Sequence, residues 1–420
     1  MEQAAATKRG LWARIGFVLA VVGPGIITAN VDNDAGGITT YSIAGASFGY
    51  SLLWSLVPIT IALMVVQEMA SRLGVYTGKG FADLIREKWG IRVTFYLMVV
   101  LLIVNLANTL AEFAGWAAAL ELFGVSRFVS VPLGAFTVWI MVARCNYRMV
   151  ERIFLIATTI YVTYLVSGFL ARPDWTRALH ETLVPPVSRQ PASYWITLVG
   201  VIGTTIAPWM QFYQQSSVVE KGIKPKDYRL AAADTIVGCV MAVVVATFIT
   251  LACAATLHPA GVNVQFAEDA AKALRPLAGK YASALFAIGL ANASLFAAAI
   301  LPLSTAYTVS EGLGWEGGVS RDWAEAPGFH SIYTGMIVIG AAVILLPHVP
   351  LVPVIFASQV MNGLLMPVTA FFALQLVNDR SLLGSSVNSQ RYNLLAWACV
   401  AFGGLGSVIM VTSMLLPSLF

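Results

Sequence analysis

Apolar runs of roughly 17–25 residues, separated by short polar stretches, recur along the whole of this sequence, and each is long enough for one helix to cross a bilayer. The pattern predicts eleven membrane-spanning helices, at residues 14–47, 50–71, 93–122, 128–143, 153–171, 195–219, 231–257, 281–306, 331–347, 351–377 and 393–416. Spanning strands would need only about 9–11 residues each, so the expected class is an all-α membrane protein. The longest loops, near 172–194 and 258–280, hold about two dozen residues, too few for a soluble domain. Val264 to Leu277 in the second of them reads as a short amphipathic helix. The expected organisation is one transmembrane domain over residues 1–420.

Composition sharpens the exclusions. Of the 420 residues, 58% are apolar and only 11% charged, with a mean hydropathy of +0.78. Soluble domains carry roughly a quarter charged residues. A secreted disulfide domain, a nucleic-acid binder and a soluble enzyme are thereby excluded as expectations. Cys145, Cys239, Cys253 and Cys399 show no paired spacing and read as small apolar residues. Lys8, Arg9 and Arg14 precede an apolar run as in a signal peptide, but no small-residue cleavage site follows, so the run reads as a retained first span.

The net charge of +4 comes from basic residues in the loops and suggests no polyanionic partner. With the N-terminus inside, the inner loops hold 18 of the 25 lysines and arginines, and the outer loops hold 7. The positive-inside rule therefore places the N-terminus in the cytoplasm and, after eleven spans, the C-terminus outside. Short loops without targeting segments suggest a bacterial inner membrane. No obligate protein partner is evident.

Polar residues within spans are costly and mark function. The first span contains Gly23-Pro24-Gly25 and then Thr28-Ala29-Asn30-Val31-Asp32-Asn33-Asp34-Ala35-Gly36-Gly37. A carboxylate at the helix centre costs about 2.5–3.5 kcal/mol on insertion scales, so Asp32 and Asp34 are expected to face a cavity. Gly36 and Gly37 are expected to unwind the helix. The sixth span repeats the device at Gly200-Val201-Ile202-Gly203-Thr204-Thr205-Ile206-Ala207-Pro208-Trp209, where Pro208 removes a donor from the carbonyl of Thr204. Carbonyls near Thr204 and Ala207 are expected to be left unpaired.

Two broken helices five spans apart point to an inverted-repeat transporter with a midplane site. The third span adds Asn105, Asn108, Thr109 and Glu112 on one helical face. The tenth adds Gln359 and Asn362 one turn apart, which serve equally well as interhelical glue. Asp234 opens the seventh span.

At these residues the chain resembles the Nramp family of divalent-metal transporters. Gly23-Pro24-Gly25 stands before Asp34 as the family's GPG stands before its DPGN. Gly45-Ala46-Ser47-Phe48-Gly49-Tyr50, Arg72-Leu73-Gly74-Val75-Tyr76-Thr77-Gly78-Lys79-Gly80, Ala111-Glu112, Ser358-Gln359-Val360 and Asn378-Asp379-Arg380 carry the likeness further. The resemblance implies a LeuT-type fold. Spans 1–5 (about 14–171) and 6–10 (about 195–377) would be inverted repeats, and 393–416 an extra helix.

The family's metal site is half kept. Asp34 matches the DPGN aspartate, but Ala35 replaces its proline and Gly37 its metal-binding asparagine. Ala207-Pro208-Trp209 replaces Met-Pro-His, so the soft thioether and the imidazole are both gone. Thr109 replaces an aspartate implicated in proton movement, Glu112 is retained, and the ninth span carries no arginine. The remaining oxygens suit Mg²⁺, Ca²⁺ or Mn²⁺, and a roomier pocket suits an ion that keeps its waters.

The resemblance thus implies transport of Mg²⁺, with Mn²⁺ as a second cargo, into the cytoplasm and uncoupled from protons. It resembles the Nramp-related magnesium transporter branch. Asp34, Gly37, Thr204, Ala207 and Gln359 would meet the ion or its water shell, with Glu112, Trp209, Asn362 and Thr109 lining the cavity. No cofactor is expected. The rivals are a proton-coupled Mn²⁺/Fe²⁺ importer, using Met210 if the break shifts, and an organic-solute carrier of the same architecture. A membrane enzyme would need a constellation such as His-x-x-x-His, and His180, His258, His330 and His348 all fall in loops or at span ends.

Overall fold

The computed structural model describes residues 31–144, 161–186, 190–319 and 321–416. The Gly23-Pro24-Gly25 motif, Thr28 to Asn30, Cys145, and the basic residues Lys8, Arg9, Arg14, Arg148, Arg152 and Arg189 lie outside them. All regular structure among the described residues is helical. The principal helices are α1 (Ala35–Phe48), α2 (Leu53–Thr77), α3 (Phe81–Glu121), α4 (Arg127–Arg144), α5 (Val162–Leu170) and α6 (Trp175–Leu183). They continue as α7 (Ala192–Thr205), α8 (Pro208–Glu220), α9 (Tyr228–Thr256), α10 (Ala282–Leu313), α11 (Pro327–Ile344), α12 (Leu351–Val377) and α13 (Gln390–Leu415).

Among the described residues, eight helical segments are long and apolar enough to cross a membrane, and Arg127–Met141 is a shorter apolar one. They coincide with the second to fourth and the sixth to eleventh expected spans. The first and fifth spans are described only in part.

The third span differs most in length. Its helix begins at Phe81 and is merged across a break at Gly90, where φ is 79°. A left-handed residue without Cβ strain lets a polar first segment bend into the apolar one. Two loop readings also change. The sequence placed no helix in 172–194, yet α6 forms there, because Asp174 caps it at the Arg177 N–H (3.0 Å) and Arg177 pairs with Glu181 at 2.7 Å. The expected helix over Val264 to Leu277 is instead two short turns, Ala267–Ala271 and Arg275–Ala278, joined by a 3-10 turn at Lys272–Leu274. Pro276 at the start of the second turn has no N–H to continue a single helix.

Helix α1 is the centre of the bundle. Ala35, Ile38 and Tyr41 are fully buried, and α1 packs against α3, α7, α9 and α12. Small side chains allow this closeness: a Cβ at Gly115 of α3 would collide with Ala35 and with Ser294 of α10. The outside of the bundle is apolar, as Phe128, Phe136, Leu394, Leu405 and Val408 illustrate. At one end Glu68 of α2 gathers the hydroxyls of Tyr228 and of Tyr392 (2.6 Å) and the guanidinium of Arg72 (2.9 Å), tying α2, α9 and α13 together.

Candidate functional site

The chain from Val31 to Asp34 turns and runs directly into α1, with the Asp34 N–H donating to the Val31 carbonyl at 3.1 Å. Asp34 is the N-cap residue of α1, and its Oδ1 accepts the Gly37 N–H at 2.8 Å. Such a cap satisfies a donor that the helix cannot, and places negative charge at the positive end of its dipole. Gly36 and Gly37 are therefore the first turn of a regular helix, not the unwound segment, and the break falls just before them. Both still need to be glycine. A Cβ on Gly37 would strike the Asp32 carbonyl, and one on Gly36 would occupy the place of the Gln359 amide.

The second break is where Pro208 placed it. Helix α7 ends at Thr205, Ile206 and Ala207 leave helical geometry, and Pro208 is the first residue of α8. The Thr204 carbonyl has no donor four residues on, because Pro208 has no N–H. The Thr204 hydroxyl is buried and lacks a partner among the described residues. The expectation for Ala207 is corrected: its carbonyl accepts the Met210 N–H at 3.1 Å and the Gln211 amide at 3.3 Å, because it has become the cap of α8. Tyr41 joins the two breaks by donating to the Thr205 hydroxyl at 2.7 Å, whose own proton goes to the Val201 carbonyl.

Helix α12 reaches the site through Gln359. Its Nε2 donates to Ser358 Oγ at 2.8 Å, and its Oε1 accepts from Asn362 at 3.0 Å. Asn362 is in turn fixed by a reciprocal amide pair with Asn108 of α3, 2.9 Å in each direction. Asn362 thus orients Gln359. Glu112 closes the site from α3: its Oε2 accepts the Ala35 N–H at 3.3 Å, its carboxyl lies beside that of Asp34, and its Oε1 has no partner among the described residues.

The remaining candidates lie further off. Thr109 donates to its own helix at the Asn105 carbonyl (2.9 Å) and has its methyl against Gly340 of α11. Asn105 donates to Thr305 of α10 at 2.8 Å. One face of α3 is therefore shared among four neighbouring helices, α1, α10, α11 and α12. Trp209 is buried in the first turn of α8 with its ring tilted against Tyr213. A cavity of about 630 Å³ lies over the far half of α1, lined by Ile43, Ser47, Ser193, Thr197, His258 and Asn263 among others, with no formally charged Asp, Glu, Lys or Arg.

Asp32 is the residue that the sequence reading left without a role. It is 2% exposed, and neither carboxylate oxygen has a partner among the described residues. Its place within a span led to the expectation that it faces a cavity, but nothing in the sequence distinguished its part from that of Asp34.

Three comparisons bear on this geometry. The family described as "Natural resistance-associated macrophage protein-like" (Nramp) matches residues 25–413. The chain belongs to the Nramp family of divalent-metal transporters. An Nramp relative from Deinococcus radiodurans, named divalent metal cation transporter MntH, is 32% identical over 314 residues, covering 71% of this chain and 71% of its own. MntH 1 of Pseudomonas aeruginosa is 31% identical over 412 residues, 90% of this chain and 88% of its own. The crystal structure of the Eremococcus coleocola manganese transporter superposes with a TM-score of 0.76 at 21% identity, over 94% of this chain and 87% of that one. MhsT in complex with L-phenylalanine gives 0.59 at 15% identity, over 95% and 98%. The fold of this Nramp protein is accordingly the LeuT type, and its curated relatives are named as divalent metal cation transporters, not as enzymes.

Proposed function

We propose that this Nramp protein carries Mg²⁺, and also Mn²⁺, into the cytoplasm by alternating access, as a partly hydrated ion and without proton exchange. The observation that carries the reading is the donor set around Asp34. Gly37 and Ala207 stand where the family has an asparagine and a methionine, and the side-chain groups that remain are oxygens or amides. Hard oxygen donors suit Mg²⁺, which holds its waters tightly and wants room for them. The uncharged vestibule over α1 suits an ion that arrives hydrated.

In this reading Asp34 supplies the charge. The Thr204 carbonyl and hydroxyl and the Gln359 amide meet the ion or its waters. Gly37 and Ala207 contribute space beside it, and Glu112 is a second carboxyl on the lining. With the N-terminus in the cytoplasm, the vestibule faces outward. An inward-negative potential of 100 mV contributes about 2.3 kcal/mol per charge, hence about twice that for a divalent ion, which suffices for entry without a proton.

The curated relatives are named for divalent metal cations and the solved structure for manganese, so a proton-coupled Mn²⁺/Fe²⁺ importer is the second reading. It needs a soft ligand, and Met210 sits one turn into α8, past the break. Replacing Ala207→Met tests the choice. Uptake of Mn²⁺ relative to Mg²⁺ into proteoliposomes is expected to rise about tenfold, as one thioether ligand worth about 1.4 kcal/mol would give. An unchanged ratio, with wild-type protein already taking Mn²⁺ and refusing Mg²⁺, would overturn the Mg²⁺ reading.

A further inference from the structure

We infer that Asp32 is a second station for the divalent cation beside Asp34, with which Asp34 exchanges the ion during transport. The inference rests on the proposed cation transport and adds a residue and a step to it. Asp34 and Asp32 differ in what they already hold. Asp34 uses one oxygen to cap α1 and is 7% exposed, whereas Asp32 is 2% exposed with both oxygens unpartnered among the described residues.

A buried carboxylate without a partner is costly enough that it needs a cation or hydrogen-bond donors. Neither comes from nearby side chains. Among the described residues Arg72 is the only buried basic side chain, and Glu68, the Ser386 carbonyl and Asn388 occupy it. Among the described residues, the titratable groups within electrostatic reach of Asp32 are Asp34, Tyr41, Tyr161 and Cys239, none of them basic.

The position suits a passing ion. Asp32 stands beside Asp34 at the foot of α1: the chain turns between Val31 and Asp34, and the Asp32 carbonyl lies against Gly37 in the first turn of that helix. Asp32, Asp34 and Glu112 do not converge as one metal-holding group. Two successive stations fit that spread better than one multidentate site. Asn33 Oδ1, next to Asp32 in the chain, and Gln211 Oε1 in the first turn of α8 are likewise buried without a partner among the described residues, and such oxygens can meet a hydrated ion through water.

The test compares wild-type protein, Asp32→Asn and Asp32→Glu in detergent and in proteoliposomes. Mg²⁺ affinity measured by calorimetry is expected to stay within about threefold in Asp32→Asn, because Asp34 is intact, while maximal Mg²⁺ uptake falls at least about tenfold. Asp32→Glu is expected to recover part of that rate. A purely structural role would lower affinity, thermal midpoint and rate together, with no recovery by glutamate, and would overturn the inference. So would Asp32→Asn uptake above half of wild type. If wild-type protein itself carries neither Mg²⁺ nor Mn²⁺, the proposed function fails instead, which the same experiment shows separately.

Discussion

Mg²⁺ uptake in Asp34→Ala is expected to fall at least about thirtyfold while the protein still folds. Removing one member of a buried charge pair commonly costs about 2–5 kcal/mol, and about 1.4 kcal/mol is a tenfold change. Asp34 is the most exposed of the three carboxyls at this site (Asp32, Asp34 and Glu112), and it stands where α1 begins and Gln359 arrives. Glu112 does not replace it, since Glu112 is fully buried and one of its oxygens holds the Ala35 N–H. Losing the cap costs α1 about 1 kcal/mol, little against a whole bundle. Uptake per correctly folded protein, with folding followed by size-exclusion profile, checks this, and more than a tenth of wild-type uptake would contradict it.

The second large effect is on folding. Gly203→Ala is expected to destabilise the protein by about 3 kcal/mol, seen as a lower thermal midpoint and a loss of monodisperse protein. A Cβ at Gly203 of α7 would strike the Gln359 carbonyl and the Gly363 N–H of α12, and a Cβ at Gly363 would strike the Val199 carbonyl in return. These are backbone atoms in the cores of two helices, so no side chain can turn aside. Gly404→Ala on α13 is the control: its Cβ meets nothing within 4 Å, and the change should stay within about 0.5 kcal/mol. Equal midpoints for the two variants would show that α7 and α12 are not in close approach.

Much of this fold was legible because a membrane imposes it. An apolar run of sufficient length has one solution in lipid, so the second to fourth and the sixth to eleventh spans were readable from hydropathy alone. Pro208 marked its break correctly because a missing N–H is a local, chemical fact. The break near Asp34 was readable as an event but not as a position. Gly36 and Gly37 look like helix breakers in sequence, yet they are small because Gln359 and the Asp32 carbonyl crowd them. For Gly36 that crowding comes from a residue more than three hundred positions away, and for Gly37 from a turn whose path the sequence does not display.

Pairings across such distances had no signature. The amides of Asn108 and Asn362 find each other across 254 residues, and Thr109 faces Gly340 while its neighbour Glu112 faces Ala35. Helical spacing gives a face, but a helix packed against several neighbours offers several partners to that face. Asp32 was visible from the outset as a polar residue in a span. Its unpartnered oxygens became apparent only with the surrounding helices in place.

The most direct measurement is divalent-cation uptake into proteoliposomes, Mg²⁺ against Mn²⁺, with internal pH followed in the same vesicles. An oxygen-donor site around Asp34 that admits a hydrated ion should give Mg²⁺ entry with no acidification, driven by an inward-negative potential and absent in Asp34→Ala. Mn²⁺ entry coupled to acidification, with no Mg²⁺ transport, would contradict it and would mean that other residues replace the lost methionine and aspartate.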